Sequence, residues 1–74
     1  MNFDYSKLKG KIKEVFGTQV AFAEAMGLSS VSVSDKLNNK TSWTQTEIQT
    51  ACDILDIKPV EIPIYFFTVE VKVA

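Results

Sequence analysis

The chain has 74 residues, enough for one domain with one small core. Net charge is −1 and every basic residue is a lysine, so composition does not point to a strongly electropositive nucleic-acid binder. With no histidine and a single cysteine, Cys52, His-based acid/base catalysis, His-ligated metal sites and an intrachain disulfide are all excluded.

The first element spans 4–16. Tyr5, Leu8, Ile12, Val15 and Phe16 recur at a helical period, with Asp4 as the expected N-cap and Gly17 as the stop. Lys7, Lys9, Lys11 and Lys13 lie in this run and read as a solvated helix face. A second short helix is expected over 18–26, capped by Thr18, with Phe22, Ala23 and Met26 on one face. Gly27 follows, where a positive φ costs little. A third helix, 30–38, is capped by Ser29 or Ser30. Val33 and Leu37 face inward, and the run Asn38-Asn39-Lys40 ends it because Asn tolerates the left-handed conformation.

The fourth helix, 44–55, opens on Thr44-Gln45-Thr46-Glu47, the pattern of a capping box. Ile48, Ala51, Cys52 and Leu55 then follow at i, i+3, i+4 and i+7, the clearest amphipathic stripe in the chain. Trp43 stands just before the cap and can staple onto the helix. Residues 59–63 are expected to make a short helix or turn between two prolines. From 65 to 73 the period changes to two, with Tyr65, Phe67, Val69, Val71 and Val73 alternating against Phe66, Thr68, Glu70 and Lys72. This segment is expected to be extended, either as a β-strand or as a tail.

The informative part is 18–40: two short helices, a tight turn at Gly27, small Ala23 at the closest approach, and Val33 and Leu37 as anchors. That is a helix-turn-helix, whose second helix enters the major groove of DNA. Gln19, Ala23, Gly27 and Val33, the ending Lys36-Leu37-Asn38-Asn39-Lys40, and Trp43 with the Ile48–Leu55 helix resemble the phage Cro and repressor type of helix-turn-helix domain. The ending Ile62-Pro63-Ile64-Tyr65-Phe66-Phe67-Thr68-Val69-Glu70-Val71 is similar to that of small Cro-like phage proteins from Gram-positive hosts, some of which modulate repression in the lysis–lysogeny switch. The fold class expected is all-α, five short helices with a C-terminal extended segment.

The resemblance implies a set of contacts to double-stranded operator DNA. Gln19, at the start of the second helix, would hydrogen-bond a phosphate or brace the reading helix, and Thr18 belongs to the same DNA-binding set. Ser30 and Val31 would point at base edges, Ser34 and Asp35 would also face the groove, and Asn38, Asn39, Lys40 and Ser42 would touch phosphates, with Ser29 in the same DNA-binding set. None of these is the bidentate arginine–guanine contact, and Asp35 repels phosphate. Two readings therefore stay open: a Cro-like regulator that binds an operator as a homodimer, and a modulator that binds a co-encoded repressor through the same surface. No cofactor, no membrane partner and no enzyme activity are expected, and the place of action would be the cytoplasm of a bacterial host cell.

Overall fold

The computed structural model describes residues 2–71. The elements run α1 (Ser6–Phe16), α2 (Gln19–Met26), α3 (Ser30–Leu37), α4 (Gln45–Leu55), a 3₁₀ turn (Pro59–Glu61) and α5 (Ile62–Phe66). Among the described residues the fold is all-α, with five α-helices.

Local chemistry accounts for most of the boundaries. Thr18 Oγ1 accepts from the Ala21 N–H at 3.1 Å, and Ser29 Oγ accepts from the Ser32 N–H at 3.1 Å, so each caps its helix. Gly27 takes φ 73°, and the Leu28 N–H returns to the Ala23 carbonyl at 2.9 Å, which closes α2 and turns the chain sharply into α3. Asn39 takes φ 62°, with Lys40 N–H donating to the Asp35 carbonyl at 2.8 Å, the same device at the end of α3. At α4 the reciprocal box is complete: Thr44 N–H donates to Glu47 Oε1 at 2.9 Å and Glu47 N–H to Thr44 Oγ1 at 3.1 Å.

The core gathers Tyr5, Leu8 and Ile12, Phe22 and Ala23, Val33 and Leu37, Ala51, Cys52 and Leu55, then Ile57, Tyr65 and Phe66. Burial and the neighbouring Asp53 push the Cys52 thiol up, so it stays protonated and serves as a small hydrophobe.

Three sequence expectations change. The N-cap of α1 is Tyr5, not Asp4; the Asp4 carboxylate accepts from the Ser6 N–H at 2.9 Å from one residue further back. Val15, expected on the inward face of α1, is exposed, while Phe16 packs edge-on to Phe22 at 5.7 Å between ring centroids. The largest departure is at the C-terminal end. Tyr65 and Phe66 do not alternate in an extended strand; both are buried in α5. Pro63, at the start of that helix, presets the backbone, and Phe66 stacks edge-on to Trp43 at 5.3 Å. Burying two consecutive aromatics outweighs their preference for a strand. Extended pairing survives only further on, where Phe3 and Val69 form an antiparallel bridge. Residues 72 and 73 of the expected segment lie outside the described residues.

Candidate functional site: the exposed face of the third helix

The turn at Gly27 and the buried anchors Val33 and Leu37 hold α3 against α2 and the common core and leave one side of it facing out. Ser30 and Val31 stand exposed at its first turn, Val31 at 68 %. Ser34 and Asp35 follow one turn later, half-buried, and Asn38 ends the row exposed, its amide donating to Ser34 Oγ at 3.3 Å. Thr18 and Gln19 are exposed at the start of α2, and Lys40 and Ser42 are exposed just past α3. Of the residues expected at DNA, these lie on the outside of the helix-turn-helix and its flanks.

Asn39 does not share that role. Its side-chain oxygen accepts from the Phe3 N–H at 2.9 Å and its amide donates to the Phe3 carbonyl at 2.9 Å. Both ends of the amide are therefore committed to the N-terminal segment, and a phosphate would have to displace that clasp. Thr18 Oγ1 and Ser29 Oγ likewise hold helix N–H groups, which limits what those hydroxyls can accept elsewhere.

The one cation within α3 is also occupied. Lys36 is 8 % exposed, and its Nζ sits 3.0 Å from Glu47 Oε1 and 3.1 Å from the Ser42 carbonyl. Burial pushes the Glu47 carboxyl up, but the Thr44 N–H and the Lys36 ammonium outweigh it and hold the group below its ordinary range. Lys36 thus ties α3 to the cap of α4. The signal for this was present in the sequence: Val33, Lys36 and Leu37 fall at i, i+3 and i+4 on the inward face, and Glu47 is the acidic partner of a capping box. The Asn39–Phe3 clasp had no such signal, because it joins residues 36 positions apart.

With Lys36 withdrawn, the outward side of α3 offers hydroxyls, one valine and one carboxylate, and no free cation. A surface of this kind makes few charge-assisted phosphate contacts. Val31 is the one apolar side chain of this outward row, which otherwise carries hydroxyls, an amide and a carboxylate.

Residues 1–69 match the family model described as "Protein of unknown function (DUF739)". The chain belongs to the DUF739 family. No curated protein matches it significantly. Among solved structures, the DUF739 chain is similar to the modulator of repression (MOR) of the temperate bacteriophage TP901-1 from Lactococcus lactis. The two are 51 % identical, the match covers 97 % of each chain, and the TM-score is 0.81. The resemblance to small phage regulators drawn from the Cro-like motif and the C-terminal run agrees with that relative. Among the described residues of this DUF739 protein, no helix is long and apolar enough to cross a membrane.

Proposed function

We propose that this protein is a phage regulator that modulates repression by binding a repressor protein through the outward side of α3, within the host cytoplasm. The observation that carries the reading is a surface of helix-turn-helix shape whose α3 cation, Lys36, is spent on Glu47 and Ser42. A relative 51 % identical over 97 % of the chain, itself a modulator of repression, supports it. Ser30, Val31, Ser34 and Asp35 form the centre of the surface, with Gln19, Asn38 and Lys40 around it. Val31 supplies the apolar contact and Asp35 a carboxylate suited to a basic partner. A repressor's own DNA-reading surface has that character, so a partner engaged there would be kept from its operator.

Binding to operator DNA by this protein itself is the second reading, favoured by the intact helix-turn-helix and by exposed Ser30 and Val31 at the start of α3. The test mixes the purified chain with the repressor encoded beside it. Calorimetry is expected to give a micromolar or tighter complex, and a mobility-shift assay is expected to show the repressor released from its operator. No complex with the repressor, together with a salt-sensitive shift of operator DNA by this chain alone, would sink the first reading in favour of the second.

A further inference from the structure

A cleft of about 300 Å³ opens between the N-terminal segment, the stretch that follows α3 and the end of α5. Phe3, Tyr5, Trp43, Phe66 and Phe67 supply rings to its wall, and none of the residues lining it is charged. The rings already meet one another edge to face: Phe3 and Phe67 at 5.9 Å and 83°, Tyr5 and Trp43 at 6.5 Å and 66°. Thr41 and Ser42, both exposed, add hydroxyls on the polar side. Two contacts tie this cleft to the end of α3. The Asn39 amide holds the Phe3 backbone, and Lys36 Nζ reaches the Ser42 carbonyl at 3.1 Å. The Trp43 Nε1–H is buried with no acceptor among the described residues. A buried donor without a partner is costly, and on the wall of a cleft it calls for an occupant that brings an oxygen. That donor is met only when the ring wall shifts, as interface side chains commonly do on binding.

We propose that the cleft receives one neutral aromatic side chain, phenylalanine or tyrosine, of the repressor bound at α3. The inference rests on the repressor-binding reading and adds a specific anchor to it. An edge-to-face wall favours a ring over an aliphatic group, because a guest ring continues the pattern at centroid separations of about 4.5–7 Å. A wall without charge favours a neutral guest, since a charged head would lose its water and meet no opposite charge. The oxygen for Trp43 is the backbone carbonyl of the residue that carries the ring, or the tyrosine hydroxyl. The volume lies at the lower end of the roughly 300–1,000 Å³ of small-ligand pockets, room for a side chain rather than a large molecule. A single ring has few atoms and binds weakly by itself. Carried on a partner already held at α3, it meets the cleft at high effective concentration and becomes the kind of buried aromatic anchor that dominates interfaces.

Trp43 is the chain's single tryptophan, so its indole N–H gives one NMR resonance that reports on the cleft. The isotope-labelled full chain is compared free and with unlabelled repressor. That resonance is expected to move, and filtered nuclear Overhauser spectra should place aromatic protons of the repressor against the Trp43 and Phe67 rings. Without repressor, N-acetylphenylalaninamide at millimolar concentration should move the same resonance, and N-acetylleucinamide should move it far less. Phe67 is half exposed, so replacing it leaves the core in place. Phe67→Leu removes one ring of the wall and should weaken the repressor complex about tenfold by calorimetry, while Phe67→Tyr keeps the ring and should bind as wild type. A complex that forms with no contact between repressor aromatic protons and the cleft overturns the inference and leaves the reading of α3 standing. No complex at all sinks that reading and removes the repressor as the occupant. Equal responses to the phenylalanine and leucine probes, or a Phe67→Leu variant that binds the repressor as well as wild type, overturn the aromatic assignment.

Discussion

The inward side of α3 carries Val33, Lys36 and Leu37, all buried, while its outward side carries Ser30, Val31 and Asp35, none of which meets a partner side chain in a hydrogen bond or ion pair among the described residues. The inner row holds the helix: two aliphatic anchors sit in the core and one ammonium is clamped on the cap of α4. The outer row makes no such side-chain contact with the rest of the fold among the described residues. The same eight-residue helix therefore separates, around its circumference, the side that holds it from the side that faces out, and the division explains why a serine-rich helix can be firmly placed yet carry little charge.

The comparison is broken most severely from the inside. Leu37→Ala should cost about 2–5 kcal/mol in a denaturant titration, since it empties a site that is 3 % exposed and leaves the core little room to collapse. In a domain of this size that is a large share of the total stability. Glu47→Ala removes half of the capping box and the partner of a buried ammonium together, and is expected to cost about 2 kcal/mol. The same contact sets an acid limit. Because the folded Glu47 carboxyl lies below its ordinary value of 4.5, the stabilisation is fully present above that pH and fades as pH falls through the depressed value. Glu47→Gln should flatten the acid limb of the stability curve, followed by circular dichroism.

A smaller loss is expected at the far end of the helix. Asn39→Ala removes both bonds to Phe3 and places an alanine at φ 62°, for about 1–2 kcal/mol. Asn39→Gly keeps the backbone comfortable and isolates the cost of the clasp. At the outer row the effect on stability should nearly vanish: Val31→Ser and Asp35→Asn are expected to stay within about 0.5 kcal/mol of wild type by thermal melting. Binding of the repressor should nonetheless weaken by about tenfold or more for Val31→Ser if that side chain sits at the centre of the interface. An outer-row variant that unfolds the domain, or one that leaves repressor binding untouched, would erase the distinction between the two sides.

Much of this division was legible in the chain itself. The placement of Val33 and Leu37 followed from their four-residue spacing, and the turn from Gly27, because both are local patterns with one physical solution. The outward position of Ser30 and Val31 followed from the same helical period. The clasp of the Asn39 amide onto Phe3 was not legible, because the two lie 36 positions apart and no local rule links them. Lys36 was half-legible: its spacing marks it as inward, but a lysine there makes sense only once Glu47 is known to stand opposite. The segment 65–73 was misjudged at its start, where the period-two pattern of Tyr65 and Phe67 gave way to a helical turn docked on Trp43.

The sequence by itself determined the helix-turn-helix, the caps at Thr18 and Thr44, a serine cap at Ser29 or Ser30, and the inward anchors, because each depends on residues within one or two turns of one another. Only the tertiary structure decided which polar groups remain free to act. Hydrogen bonds and ion pairs between distant segments engaged Asn39 and Lys36, and burial in the core, with Phe66 docked on Trp43, accompanies the helical rather than extended course of Tyr65 and Phe66. Those outcomes depend on what lies opposite in space, a quantity that spacing along a chain does not encode.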